Sequence, residues 1–507
     1  LKSGIGSTAI GYEALKTATD NDYNTAVGNR ALYSISGSSG TEGENNTAIG
    51  RYAGYSTTTG NSNTFVGGAA GFANTTGNYN NFIGQSAGNA LVDGSNSTYI
   101  GWYAAYNQTH GNNNVVVGHQ ALYGSSGNGN LSENVAIGYQ SGYKAEAGYG
   151  ITALGSRALR NIDPSGSLST AIGYFSGFNS SGSYNTFVGA EAGRGATTSA
   201  PFSSGQNSVA VGYQALKGFT TGDSNIAVGY QAGYLISSGS NNVVMGYHAG
   251  YSLGGTQMNV MIGDAAGSLS RVINNRQVFV GNSAGRYVDT GIANVAIGYN
   301  AMESSNSSTD NNASYNTAVG YTALESITDA DYNTAIGQAA AQNLTTGNQN
   351  VFVGGSSGNS SVSSLYNVMI GVSAGLAATD VDSTVLIGWN AGRNTTTDGT
   401  IAIGHKALYE HTTGARNVAI GYQAMQDTNA GSTSLGSTDN IFIGYNAGAG
   451  TWVDAASNGN VGIGSYALDS AMDGALYNTA VGAYAASAIT QADNVIAIGN
   501  SAAYSLT

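Results

Sequence analysis

The chain has no cysteine among its 507 residues, only 2 prolines, and 8% charged residues against roughly 25% in an ordinary globular domain. Without cysteine there is no disulfide framework, so stability must come from packing and backbone pairing. No apolar run approaches the length of a transmembrane helix, so no membrane insertion is expected in this segment. The 15 Lys and Arg are scattered among 28 acids, for a net charge of −13. That excludes the basic footprint of a nucleic-acid binder and the Lys-rich face of a membrane-surface helix. There is also no signal peptide: the chain opens at Leu1 in the middle of a motif, as expected for a segment of a longer fibre.

What is abundant is Gly (77 residues), with Asn, Ser, Thr and Ala, and 41% of the chain is apolar. The apolar residues recur at fixed intervals, which argues against disorder. One motif repeats throughout, as in Asn24-Thr25-Ala26-Val27-Gly28 and Asn417-Val418-Ala419-Ile420-Gly421. Counted by its Gly, it occurs 28 times from Gly11 to Gly499, and 16 of the 27 intervals are 17 residues long. No break in the pattern marks a domain boundary, so residues 1–507 read as a single continuous repeat domain.

Positions are numbered here from that Gly. Position −1 is aliphatic in all 28 copies and −3 is β-branched in 27, with Asn81 the exception. In an extended chain these two share a face, which predicts a short strand with the −3/−1 pair buried. Position +3 is Ala in 25 copies and Ser at Ser141, Ser176 and Ser357, the mark of a tight corner or a second strand pressed close. Position −4 is Asn in 19 copies, and stacked Asn side chains can bond from rung to rung. A 17-residue unit of this kind predicts an all-β fold, a parallel β-solenoid of about 28 coils stacked about 4.8 Å apart. Longer intervals near 33–45, 196–206, 302–314 and 426–439 read as insertions in turns.

Position −2 points away from the −3/−1 pair. It is Ala in 15 copies and bulky in 12, and the bulky ones cluster: Phe65, Phe82, Tyr99 and Val116, then Val244, Met261 and Phe279, then Phe352, Met369 and Leu386. On this reading they form an external apolar stripe that a second copy of the chain covers; the alternative is a two-layer coil in which both strand faces are buried within one chain.

The Asn-Thr-Ala-Ile-Gly-Tyr-x-Ala pattern resembles the head repeats of trimeric autotransporter adhesins and similar repeats of phage tail fibres, over essentially the whole chain. The resemblance implies a left-handed β-roll whose Ile and Val fill the roll, and a homotrimer of three rolls. Two features depart from the adhesin heads: the usual 17-residue interval is longer, and no neck, stalk or anchor follows.

Nothing in the sequence points to an enzyme. His110, His119, His248, His405 and His411 lack ligand spacing, the Gly-rich pieces lack a phosphate-loop Lys, and the acids sit mostly in turns. Asp20-Asn21-Asp22-Tyr23-Asn24 and Asp329-Ala330-Asp331-Tyr332-Asn333 partly echo a calcium loop without its Gly and terminal Glu, so no metal or cofactor is expected. The aromatics at +1, among them Tyr12, Trp102, Tyr139, Tyr213, Tyr230, Trp389 and Tyr422, form a candidate surface stripe, joined by a second set at +5. Stacking between coils explains their regularity, and a cell-surface glycan or receptor is the alternative partner. Asn-x-Ser/Thr triplets at Asn74 and Asn107 are open to glycosylation.

The expected function is therefore a structural or adhesive fibre outside the cell, on a virion or a bacterial surface. The alternative is a subunit of an end-to-end filament, since neither end of the sequence shows a polar cap. An ice-binding solenoid fits less well, because it needs an outward Thr array and Thr falls here at a position read as core.

Overall fold

A computed structural model describes residues 5–37, 41–124, 129–145, 148–162, 168–197, 202–269, 276–304, 311–428, 436–453 and 455–504. All four turn insertions fall partly outside these residues. The fold is a parallel β-solenoid, and the chain divides into two compact units, Leu1–Met258 and Asn259–Thr507, built from the same coil. Each unit contributes fourteen three-residue strands at positions −3 to −1. Within a unit, strands pair in parallel with equivalent positions opposite one another: Thr47, Ala48 and Ile49 face Thr64, Phe65 and Val66, and Val351, Phe352 and Val353 face Val368, Met369 and Ile370.

The rest of each coil is also paired. The Gly67 N–H donates to the Ile49 carbonyl of the coil before (2.8 Å), while the Gly54 N–H donates to the Ala70 carbonyl of the coil after (2.9 Å). The Ala53 N–H closes a turn on the Gly50 carbonyl (3.3 Å), so the small residue at +3 marks a tight corner. The corners adopt left-handed backbone at +2, +4 and −5, as at Tyr52 (φ 60°), Gly54 (φ 57°) and Ser62 (φ 57°).

The strand faces are reversed from the sequence expectation. Phe65, Phe82, Tyr99, Val116, Phe279, Phe352, Met369 and Leu386 do not form an external stripe: all are fully buried inside their own coils, as are Val244 and Met261. The β-branched −3 and −1 positions point outward, with Ile49, Ile83 and Ile336 43%, 41% and 41% exposed. The Ile and Val of the motif therefore do not fill the roll. The reason is volume. The coil is narrow, and the opposite wall at +4 decides what −2 can hold.

Each of the six Phe residues at −2 (65, 82, 187, 279, 352 and 442) has Gly at +4 of its own coil. A Cβ on Gly71 would lie 2.4 Å from the Phe65 ring, and one on Gly358 would lie 2.2 Å from the Phe352 ring. Where +4 is Leu, as at Leu32, Leu159, Leu216, Leu324 and Leu408, position −2 is Ala in most coils; Leu122 stands with Val116 and Leu468 with Gly462, and no coil pairs Leu with an aromatic residue. These leucines are buried at φ of 45–53°. Left-handed backbone at a non-Gly residue costs about 1–2 kcal/mol. Burying a leucine contributes about 1.5–3 kcal/mol, so the packing wins.

Stacking is locked from inside by the −4 asparagines. The Asn350 backbone N–H and its side-chain Nδ2 both donate to Asn333 Oδ1 (3.0 and 2.9 Å), and Nδ2 donates again to the Ser364 carbonyl (2.7 Å). Asn350 Oδ1 in turn accepts from the backbone N–H and Nδ2 of Asn367 (2.9 and 3.0 Å). Every polar atom of the Asn350 amide is used, so this rung carries no unmatched desolvation.

Two predictions follow from this packing. Gly358→Leu destabilises its coil by about 2–4 kcal/mol and Phe352→Ala does so by about 3–5 kcal/mol. The double variant costs clearly less than the sum, read by hydrogen exchange of the amides at 351–353 and 368–370. Separately, Asn350→Ala leaves the Asn367 N–H and the Ser364 carbonyl unpaired, costing about 2–4 kcal/mol in the same assay. Asn350→Ser costs less, because Ser97 already fills this role, its Oγ accepting from the Asn114 N–H at 3.2 Å.

Candidate interaction surfaces

Three surfaces emerge from the coil. The first is the outer face of the strands. Position −1 supplies an unbroken aliphatic column, and −3 supplies Val or Ile in 16 coils, Thr in 11 and Asn81 once, with no charged residue in either column. The threonines thus lie outside, and the premise that set aside an ice-binding role, a core Thr, is corrected. In the second unit, however, Thr remains only at Thr317, Thr334 and Thr479, so the face is mainly aliphatic. At about two half-exposed side chains per coil, the face of one unit is on the order of 1,500 Å². That is well above the few hundred Å² of a usual exposed apolar patch.

The second surface is the aromatic edge that follows the Gly. Tyr12, Trp102, Tyr139, Tyr213, Tyr230, Trp389 and Tyr422 are all exposed. Most are engaged with rings of neighbouring coils: Trp389, His405, Tyr422 and Tyr445 form one stack with centroids 4.7, 4.9 and 5.2 Å apart. Tyr213, Tyr230 and Tyr247 form another, at 5.3 and 5.1 Å. The +5 set stacks as well, Tyr106 on Tyr123 and Tyr123 on Tyr143 at 5.4 and 5.2 Å. Ring faces inside a stack are occupied, so a sugar can lie flat only on a terminal ring. Sequence reasoning missed that cations share this edge, although their spacing from the Gly was available: Lys16, Arg30, Arg157, Arg160, Arg194, Lys217, Arg286, Arg393 and Lys406 all occupy +2 or +5.

The third surface is the turn before the strand, where most acids sit. Here carboxylates act as backbone acceptors between coils. Asp331 Oδ1 accepts from the Ser314 N–H (2.7 Å), and Asp382 Oδ1 accepts from the Leu365 N–H (2.8 Å). In the other calcium-like segment Asp22 Oδ1 accepts from the Ile5 N–H, while Asn21 is buried and donates to the Glu42 carbonyl (2.7 Å). No cluster of three potential metal ligands occurs among the described residues. Asn74 is fully buried, which closes it to glycosylation in the folded chain.

His405 and His411 follow the same motif Gly and the other three lie in separate coils; His119, His248 and His405 lie against rings of the aromatic edge. His411 is buried, with Nδ1 2.8 Å from Thr428 Oγ1 and Nε2 2.5 Å from the Gly414 carbonyl. Burial lowers its pKa below the ordinary 6.5, and its hydrogen bond to Gly414 only partly opposes this. No described helix is long and apolar enough to cross a membrane. No protein-family model matches the chain, and no curated protein is detectably similar to it in sequence.

The buried imidazole makes a pH prediction. Its folded pKa lies below the unfolded value, so the unfolded chain binds the extra proton first. Stability near this coil is full above pH 6.5 and falls as pH drops below it, by up to about 1.4 kcal/mol per unit until the folded pKa is reached. Hydrogen exchange at Ile401–Ile403 and Val418–Ile420 between pH 7.5 and 5 reads the loss, and His411→Gln removes the pH dependence.

Proposed function

We propose that this protein is a non-enzymatic structural and adhesive fibre that works outside the cell and self-associates, as a homotrimer, through the outward −3/−1 face of its strands. The observation that carries the reading is that face: aliphatic, uncharged and half-exposed on coil after coil. A stable interface buries about 800 Å² per partner, and the face of one unit exceeds that. The two columns repeat at the coil spacing, so a second copy laid alongside in register meets the same residues on every rung. The resemblance of the motif to adhesin heads and tail fibres is what favours three chains and a bacterial or virion surface. An ice-binding role is disfavoured by the mainly aliphatic outer columns, which offer few hydroxyls to ordered water.

The test is the mass in solution by light scattering, with two single substitutions on adjacent residues. The wild-type chain is expected at three times the chain mass. Ile370→Asp, on the outer face, lowers the mass while leaving the β-sheet circular dichroism intact. Met369→Asp, one residue earlier and inside the coil, unfolds its neighbourhood instead. A wild-type monomer, or an Ile370→Asp variant that keeps the wild-type mass, contradicts the reading. Open-ended filaments of wild-type chain contradict the trimer.

A further inference from the structure

The positive charge of this acidic chain is not evenly spread. Between residues 144 and 217 there are five cations (Lys144, Arg157, Arg160, Arg194, Lys217) and three acids, net +2, so the remainder of the chain carries −15. All five cations follow a motif Gly by two, five or six residues, in four of five successive coils of the first unit; four lie on the aromatic edge, and Lys144 lies 5.2 Å from the Phe202 ring. Along +5 and +6 the order is Lys144, Arg160, Phe178, Arg194, Lys217, one residue per coil.

The rings hold the cations in place. The Arg160 guanidinium lies 5.0 Å from the Tyr143 ring and 5.6 Å from the Phe178 ring, and donates to Gln140 Oε1 and Asn161 Oδ1 (both 3.1 Å). Arg157 sits 5.4 and 5.2 Å from Tyr139 and Phe175, and Lys217 sits 5.5 Å from Tyr234. Only Glu191 opposes them among the described residues, paired with Lys217 at 2.7 Å and Arg194 at 3.3 Å. One carboxylate between two cations leaves a surplus, and neither Lys144, Arg157 nor Arg160 forms an ion pair among the described residues. Arg194, Lys217 and Tyr234, with Asn179, line a surface hollow of about 240 Å³.

We propose that this strip binds an extended acidic polysaccharide, one with a carboxylate on successive sugars, running along the stack of coils. Its +5 cations Arg160, Arg194 and Lys217 are two coils and one coil apart, at a coil spacing of about 4.8 Å that is close to the length of one pyranose residue in an extended chain. The hollow beside Arg194 and Lys217 receives one ring of the glycan. The negative remainder of the protein repels a polyanion and confines it to the strip. A nucleic acid fits less well, because the aromatic faces that bases need are occupied by the cations themselves. The inference rests on the reading of the chain as a fibre that faces its surroundings.

The test titrates polygalacturonate oligosaccharide into the full chain by calorimetry, at about 50 mM and about 300 mM salt. Binding is expected at low salt, weakening at high salt. It falls by about tenfold or more in the triple variant Arg160→Gln/Arg194→Gln/Lys217→Gln. Glu191→Gln frees two cations and tightens binding by about threefold. No binding by the wild-type chain overturns the proposal. So does unchanged affinity in the triple variant with its circular dichroism intact, or equal or tighter binding of single-stranded DNA. Light scattering on the same samples separates the two readings. Glycan binding by a monomer contradicts only the trimeric fibre, and a trimer that ignores the glycan contradicts only the strip.

Discussion

Successive coils meet along a column of glycines, and the closeness of that meeting governs everything else in the fold. A Cβ on Gly354 would lie 2.5 Å from the Gly371 carbonyl oxygen, and one on Gly50 would lie 2.5 Å from that of Gly67. No side chain fits there, and the φ of 131° at Gly354 and 137° at Gly50 strains any other residue. With the glycines in contact, coils have one registration, and each position stacks on its own equivalent. That is why Asn stacks on Asn in the interior, why Tyr stacks on Tyr at the edge, and why the outer face repeats without offset.

Identical stacking makes each position a column with a single physical task. The −4 column is polar except at Ile151 and Val495, and amides suit it because each offers two donors and an acceptor that takes two bonds. Where the residue changes to Ser97 or Ser208 the hydroxyl still accepts from the next coil, at 3.2 Å in both cases. The core columns −2 and +4 share one volume, which Phe352 with Gly358 fills from one side and Ala402 with Leu408 from the other. Lengthened turns are tolerated because they leave the columns aligned: Asn185 and Ser208, 23 residues apart, remain bonded at 2.9 Å.

The fold class, the coil length, the tight corner at +3 and the rung-to-rung asparagine bonding could all be read from the repeat. The orientation of the strand could not. A period of two separates two faces, but both faces here are apolar, so hydrophobicity alone does not say which is inside. The β-branched regularity of Thr334, Ile336 and their equivalents favours a core on that face, and the bulky residues at −2 then read as an outer stripe. The discriminating signal was the exchange of size between −2 and +4, six phenylalanines each with a glycine. It involves residues six apart in sequence that touch only once the coil closes. The cationic strip was hidden differently: a net charge of −13 averages away five cations that share one edge.

The absence of cysteine makes the central claim, Ala335 inside and Ile336 outside against another copy, open to a direct measurement. Single variants Ala335→Cys and Ile336→Cys are oxidised mildly, and the products are separated without reductant. Residue 336, 41% exposed on the single chain, is expected to form disulfides between chains, whereas residue 335, fully buried, forms none and resists a maleimide. Cross-linking through residue 335 with residue 336 inert would contradict the account, because it would put the −2 column back on the outside.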